Sequence, residues 1–579
     1  MSKHTFVYKF ILLFTVVLFG TSTAQEFGWG NKISSDNHIN TQFLCTDSDQ
    51  NLYTSGYFTG DLTYEIDGVD STITTEYGLT NYVQKFDAYG DREWLYPLGK
   101  SNGAFIGGMT VDSDDNLYIA GYFSNSLDFD PSETENIISV VNTSQFVQKI
   151  NPDGELIWVK IIEQLDPMGF GVNKILADIE IDSENNVIIL GGLVKNMDMD
   201  PGEDSLILTT NERTSFVQKM NEDGELLWAT KIGDTTLIDP HELEIDSENN
   251  IYIRAISTYP VHFITDSGVD TVAASNFILK MNADGNNLWA KSWDNGQFKA
   301  NFFIIDDSDN LYINGLYKTS VDFDPGEGTH EIGLQFDTLF PFHKMVFLLK
   351  LNDQGEFQWV IDYGGNGTIP SYYNFLKGLN IDSHGNIYNF LSSDFHVNFD
   401  PANDTVNYEP GTINTTNYIN IINSQGYYIS TIIYPGLDPI GSAMTIDHMD
   451  QIYTSGGING GIDLDFSGSE FVLYNTNQTS IFFHKMGDIG DLDLVENSPN
   501  ITSQIYPNPS SQNINILFKE GSSGKLNLID LQGRLLKSIE INPSQKAYLL
   551  DISTLTSGVY FMELIRNGGE IESQKFIKK

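Results

Sequence analysis

Apolar and polar residues alternate in seven short stretches of the chain. Each stretch ends on an acidic word: "DSDQNLY" at Asp47, "DSDDNLY" at Asp112, "DSENNVI" at Asp182, "DSENNIY" at Asp246, "DDSDNLY" at Asp306, "DSHGNIY" at Asp382 and "DHMDQIY" at Asp447. Three and one positions before these anchors stand Leu44 and Thr46, Met109 and Val111, Ile179 and Ile181, Leu243 and Ile245, Phe303 and Ile305, Leu379 and Ile381, Met444 and Ile446. Period two predicts a strand with one buried face. A second phrase follows each anchor: "YVQKF" at Tyr82, "FVQKI" at Phe146, "FVQKM" at Phe216, "FILKM" at Phe277, "FLLKL" at Phe347, "YINII" at Tyr418 and "FFHKM" at Phe482. A third phrase, such as "NPDGELIWVKI" at 151–161, brings Trp94, Trp158, Trp228, Trp289 and Trp359, with Ser430 where a sixth Trp would fall. Between the β-branched and aromatic runs lie Asn, Asp and Gly words suited to tight turns. Each unit therefore reads as four antiparallel strands, a to d, and no segment sustains a helical period.

The chain ends decide between an open array and a ring. "FGWGNKI" at 27–33 places Trp29 18 residues before Asp47, the spacing of Trp94 from Asp112, so it reads as a d strand lacking its own a, b and c. It can complete the seventh sheet and remove the open edges. "KMGDIGDLDL" at 485–494 competes for that place with Leu494 instead of Trp; the better-patterned Trp29 strand is preferred. The expected fold is all-β: a seven-bladed β-propeller of four-stranded antiparallel blades over residues 25–490. The repeat words resemble the SBBP repeat of bacterial β-propellers over about residues 27–490, with departures at "IYIRAIS" in the Asp246 copy and at Ser430. Those two blades are expected to pack differently. The resemblance implies a fold and an extracellular setting, and no reaction.

In such a meander the a–b and c–d turns share one side, and the b–c and d–a connections the other. Length varies on the second side, at 163–174, 334–344 and 364–375, which is where variable loops on a rigid scaffold carry binding. Tyr372, Tyr373 and Phe342 are the candidates to stack on sugar rings; anchoring of their own loops is the alternative. Strand b reads as ending in a carboxylate pair: Asp128 and Asp130, Asp198 and Asp200, Asp322 and Asp324, with related words at Asn398 and Asp463. Paired oxygens suit Ca²⁺, although Asp-Pro is also an ordinary turn word. The anchors themselves lack the flanking helices and twelfth-position Glu of an EF-hand, so they read as hairpin turns.

Composition narrows the partners. Against 31 Lys and Arg the 579 residues carry 78 Asp and Glu, a net charge of −47, which argues against nucleic acid or an anionic membrane. Residues 1–24 have the pattern of a signal peptide, with apolar "FILLFTVVLFG" and small residues before a cut after Ala24. No segment is long enough to span a membrane. Cys45 is the single cysteine, so no internal disulfide forms. Histidines are scattered without metal-ligand or nucleophile spacing, which gives catalysis little support.

After a linker at 491–501 the repeat stops. Residues 502–579 carry alternating strands with Gly-bearing turns, a small Ig-like β-sandwich. Pro507, Asn508, Pro509, Gly533, Arg534, Gly558, Tyr560 and Lys578 lie in words that resemble the type A C-terminal sorting domain of type IX secretion in Bacteroidetes. That resemblance implies recognition by the secretion machinery, removal of the tail, and a propeller released or held on the outer-membrane surface. The expectation is a secreted, monomeric, non-catalytic propeller that binds an extracellular glycan or protein. A polysaccharide-degrading enzyme and a structural adhesin are the alternatives.

Overall fold

The computed structural model describes residues 27–578 apart from 67, 76–77, 100–102, 131–135, 167–175, 212, 234–236, 266–267, 274, 294–297, 319, 334–344, 364–374, 394–396, 401–406, 409–415, 435–436, 459, 466–470, 476–477, 488–502, 507–512, 519–523, 531–533, 542–546, 557 and 567–570. The expected signal peptide at 1–24 and the expected linker at 491–501 thus lie outside the described residues. One compact unit spans Ala24–Gly490 and a second takes in Asp491–Lys579. The described residues form strands and turns and no helix, hence no helix long and apolar enough to cross a membrane.

Seven sheets repeat one plan in the first unit. Sheet 1 takes His38–Thr46, Leu52–Thr59, Thr80–Phe86 and Arg92–Leu98 as strands a to d; sheet 2 takes Ala104–Val111, Leu117–Phe123, Ser144–Ile150 and Leu156–Gln164. Sheet 3 is Leu176–Ile181, Val187–Leu193, Thr214–Met220 and Leu226–Lys231, and sheet 4 is Ile238–Ile245, Ile251–Ser257, Asn276–Met281 and Asn287–Ser292. Sheet 5 is Phe298–Ile305, Leu311–Tyr317, Met345–Leu351 and Phe357–Asp362, and sheet 6 is Phe375–Ile381, Ile387–Ser393, Thr416–Ile422 and Tyr428–Tyr434. Sheet 7 draws a to c from Leu437–Ile446, Ile452–Ile458 and Thr479–Met486, and its d strand from Phe27–Ser35 at the other end of the chain. That strand is in register with Trp29 opposite Lys485 and Ile33 opposite Ile481. Most of the competing segment, 488–494 with Leu494, lies outside the described residues. Consecutive sheets touch through their a strands, and strand a of sheet 7 touches that of sheet 1, so the order of neighbours returns to its start.

The repeated words now have physical causes. In every a–b turn the anchor Asp accepts N–H groups two and four residues on, as Asp112 Oδ1 does from Asp114 at 3.0 Å and Asn116 at 2.8 Å. The fourth residue of the turn is left-handed, at Gln50, Asp115, Asn185, Asn249, Asp309, Gly385 and Asp450. Asn and Asp tolerate that conformation better than other side chains. In the c–d turns Asn151 Oδ1 accepts from Asp153 and Glu155, while Gly154 takes φ +86.

The indoles explain why the c–d phrase recurs. Each reaches from its own d strand to a carbonyl in the c–d turn of the next sheet: Trp94 Nε1 to Pro152 O at 3.3 Å, Trp158 to Glu222 at 3.2 Å, Trp228 to Ala283 at 3.2 Å, Trp289 to Asp353 at 3.1 Å and Trp359 to Ser424 at 3.4 Å. Trp29 makes the same latch from sheet 7 to Ala88 of sheet 1 at 3.2 Å. Its ring also lies where a side chain on Gly90 would stand, 2.5 Å from an added Cβ, so Gly90 is required twice, for its φ of +89 and for that contact. Ser430 supplies no indole, so the seam from sheet 6 to sheet 7 lacks this latch. Sheet 4 keeps the common ladder register with Ala255 at the Gly position, while the buried Arg254 beside it packs against Glu242 and Ala300 O.

Beside the latches runs a line of staples. Ser48 donates from N–H and Oγ to Asp115, each at 2.8 Å, and Ser113, Ser183, Ser247 and Ser383 reach Asn185, Asn249, Asp309 and Asp450 in the next a–b turn. Asp307 and Gly385 interrupt the line between sheets 5 and 6; a buried Asn314–Asn389 hydrogen bond of 2.8 Å crosses there. Removing one exposed staple with Ser48→Ala is expected to lower stability by about 0.5–1 kcal/mol in urea denaturation. Apolar clusters fill the seams between sheets, as where Tyr118, Val147 and Ile162 of sheet 2 meet Ile179, Ile189 and Phe216 of sheet 3.

In the second unit, Ser503–Tyr506, Asn513–Phe518 and Ala547–Asp551 form one sheet, while Leu535–Ile541, Gly524–Asp530, Gly558–Arg566 and Ile571–Lys578 form another in that order. Ile514, Ile516 and Leu550 from the first meet Leu526, Leu528 and Met562 from the second in one core.

Candidate functional site

The side of the b–c and d–a connections is more elaborate than four strands per unit allow. Each b–c connection folds an additional two-stranded hairpin: Leu62–Ile66 with Val69–Ile73, Ser126–Asp128 with Ile137–Ser139, Asn196–Asp198 with Ile207–Thr209, Val261–Thr265 with Gly268–Val272, Val321–Asp322 with Glu331–Ile332, Val397–Asn398 with Asn407–Tyr408, and Gly461–Asp463 with Val472–Tyr474. Strand b therefore does not end in the carboxylate pairs. It stops before left-handed corners such as Gly60, Asn125, Lys195 and Gly460, and the pairs close the hairpins beyond. Strands of two or three residues are too short for a periodicity to register.

The first acid of each described pair has a fixed task. Asp128 Oδ1 accepts from Asp130 N–H at 3.2 Å and Asn136 N–H at 2.9 Å; Asp198 accepts from Asp200 at 3.2 Å and Leu206 at 3.0 Å; Asp322 accepts from Asp324 at 3.1 Å and His330 at 2.7 Å. Each thus staples the N–H eight residues on. Asp200 and Asp324 cap Gly202 and Gly326, both at 2.8 Å. The intervening Phe129, Met199 and Phe323 are buried, as alternation requires. At Asn398 an amide stands for the first acid and accepts Asp400 N–H at 3.0 Å; the two hairpins with neither have five-residue strands and tight turns at Gly68 and Gly268, so they span no long loop that needs a staple. The six acids belong to three separate hairpins. Among the described residues no three His, Cys, Asp or Glu side chains are placed to hold a metal. Asp198→Ala is expected to cost about 1 kcal/mol, the value of a lost backbone cap, measured by denaturant midpoint.

A cleft of about 770 Å³ lies on this side between sheets 4 and 5. It is lined by Asp270 and Thr271 of one hairpin, Asp322 and Asp324 of the next, and the end of strand d from Ala290 to Trp293. Trp293 is buried beneath, its Nε1 bonded to Phe323 O at 3.2 Å, and Asp270 Oδ2 accepts Ala290 N–H at 2.9 Å. Tyr372, Tyr373 and Phe342 lie outside the described residues.

A second constellation escaped the sequence reading. On strands a of sheets 3 and 4, Asp178, Glu180, Glu242 and Glu244 occupy the face opposite the apolar core, four and two positions before their anchors. Burial and mutual repulsion raise Asp178 and Glu244 well above the carboxylate range, and burial lifts Glu180 to about 7. Glu242 is raised by burial despite Arg254 Nε at 3.0 Å and Phe303 N–H at 3.1 Å. Asp178 Oδ2 accepts Leu243 N–H at 2.9 Å across the seam. Burial, with Glu180 and Asp47 adding to it, also pushes the Cys45 thiol up. The words "ADIEI" and "HELEI" were the available signal, since other repeats place Cys, Thr, Gly, Asn or apolar residues there.

Two of the anchors behave oppositely. Burial would raise Asp112 and Asp182, but Lys149 at 3.0 Å, Lys219 at 2.7 Å and the Asn116 and Asn186 donors hold both below the ordinary range.

In the second unit Gly558 pairs with Lys578 and Tyr560 with Phe576, bringing three of the predicted sorting residues onto adjacent strands. Tyr560 Oη donates to Thr556 O at 2.9 Å, and Arg534 is exposed beside the edge strand. Pro507, Asn508, Pro509 and Gly533 lie outside the described residues.

Comparison with known proteins finds a 27% identical stretch of 242 residues in an uncharacterized WD repeat-containing protein of Acanthamoeba polyphaga mimivirus, covering 37% of this chain and 17% of that protein. The chain thus spans about a sixth of the length of that relative. Among solved structures, a protein of unknown function from Bacteroides caccae matches at 10% identity over 58% of this chain and 92% of its own, TM-score 0.29. A gluconolactonase from Xanthomonas campestris matches at 11% identity over 63% and 88%, TM-score 0.26. Residues 504–579 match the family described as Secretion system C-terminal sorting domain. The chain therefore carries a type IX sorting tail, the mark of a secreted or cell-surface protein.

Proposed function

We propose that the exported part is a seven-bladed β-propeller with SBBP-type repeats, closed by the Trp29 strand, and that the tail is an Ig-like sandwich. In this reading the propeller is a monomeric, non-catalytic module that binds an extracellular glycan or protein on the side of the b–c and d–a connections. The cleft between sheets 4 and 5 carries the reading: it is concave, polar, and built from hairpins on the side where the connections vary. Carboxylates and hydroxyls around a concave polar cleft suit the hydroxyls of a sugar.

A glycan array probed with the full chain, with and without Ca²⁺, tests this. Binding without turnover, weakened by Asp270→Ala, supports it; release of cleaved products supports a polysaccharide-degrading enzyme, and binding of nothing supports an adhesin or spacer. Because backbone N–H groups engage Asp128, Asp198 and Asp322, binding is expected to survive chelation of Ca²⁺. Loss on chelation would make the pairs metal ligands.

A further inference from the structure

The tail's identity as a sorting domain leaves open where it is grasped. Its four-stranded sheet ends on Leu535–Ile541, which pairs only with Gly524–Asp530 among the described strands, so one row of main-chain donors and acceptors is open. The first four residues of this strand are all exposed, Leu535 by 57% and Leu536 by 44%. A β-bulge at Leu535–Lys537 leaves Leu536 without a cross-strand partner, so two exposed leucines stand together at the strand's start. An open edge of that kind invites another strand, and proteins that do not use such an edge blunt or cover it.

Charge indicates what would fit. Residues 504–579 hold 9 Lys and Arg against 7 Asp and Glu, whereas the preceding chain holds 22 against 71. The tail thus lacks the acidic excess of residues 27–490, and the open strand follows Arg534 and carries Lys537. Carboxylates opposite these cations favour encounter and fix register.

We propose that Leu535–Ile541 is the docking edge of the tail, where the export machinery adds an extended, carboxylate-bearing strand with apolar side chains against Leu535 and Leu536. Main-chain pairing supplies affinity and the leucines and cations supply selectivity, the usual division in strand addition. The proposal rests on the sorting reading, and its test separates the two.

The test compares export of the full chain, in a host with type IX secretion, for three forms: wild type, the triple variant Leu535→Ser, Leu536→Ser, Lys537→Glu, and a chain lacking 504–579. The expected result is loss of export without the tail and a drop of about tenfold for the triple variant, as for loss of an interface anchor. The purified variant should keep the wild-type denaturant midpoint, because the altered side chains are exposed. Wild-type export of the triple variant, with the truncated chain retained, overturns the docking edge and leaves the sorting role standing. Export of the truncated chain overturns both. Crosslinking of residue 538 to residues 27–490 of the same chain would also overturn the proposal, by making the edge an internal contact.

Discussion

Trp29→Ala is expected to lower the stability of the first unit by about 3–5 kcal/mol, the range for removing a buried Trp side chain. The indole is 7% exposed and sits among Ile33, Phe86, Tyr453 and Phe483 where sheet 7 meets sheet 1. Its N–H latches to Ala88 O at 3.2 Å, and the neighbouring Asn31 and Arg92 tie the same seam, Asn31 Nδ2 to Gly90 O at 3.0 Å and Arg92 to Asn31 and Lys32 at 3.3 Å. The other latches join sheets that the chain already connects. This one ties sheet 7, through the N-terminal strand that its ladder with Thr479–Met486 holds there, to sheet 1, so its loss loosens the seam between the last sheet and the first as well as creating a cavity. Trp158→Ala is the control, with a half-exposed indole at an interior seam, and should cost about half as much. Guanidinium denaturation followed by tryptophan fluorescence measures both. Equal, small losses would mean that the N-terminal strand does not hold the ring.

The second large effect is on pH. Asp178, Glu180, Glu242 and Glu244 are raised in the folded state, so between about pH 4.5 and 7 the folded protein binds protons that the unfolded chain has released. Their contribution is fully present at the acid end of that window and is lost as pH rises through the folded values. Asp112 and Asp182, held low, have the opposite sign: their contribution is present above about pH 4 and lost below it. Stability is therefore expected to peak near pH 5 and to fall by on the order of 3 kcal/mol toward pH 8, since each tenfold gain in a carboxylate's proton affinity on folding corresponds to about 1.4 kcal/mol. Glu180→Gln with Glu244→Gln should raise the midpoint at pH 8 and flatten the decline. A decline unchanged in the double variant would assign the pH dependence to the general excess of negative charge.

The sequence made the strands, the repeat and the closing Trp29 legible because these rest on strong local rules: period two, left-handed turn residues, and an indole at fixed spacing. It did not reveal the hairpins after strand b. In five of them, with strands of two or three residues as at Ser126–Asp128 and corners made by Asn125 or Lys195, there is no alternation to read, and Asp128, Asp198 and Asp322 were assigned to the wrong strand; the five-residue strands, such as Val261–Thr265, were passed over. Their constant link to an N–H eight residues on is visible only once the loop is folded. The inner carboxylates were missed for another reason. "DIEI" and "ELEI" alternate as a solvent-facing strand would; only the meeting of neighbouring a strands turns that polar face inward.

Hydrogen exchange on the native chain tests closure most directly. The amides of Phe27–Ser35 should exchange in one cooperative unit with those of Thr479–Met486, their partners in the ladder, and be protected to the same free energy. Exchange of Phe27–Ser35 at the rate of a free terminus, with Thr479–Met486 still protected, would contradict a ring closed by the N-terminal strand.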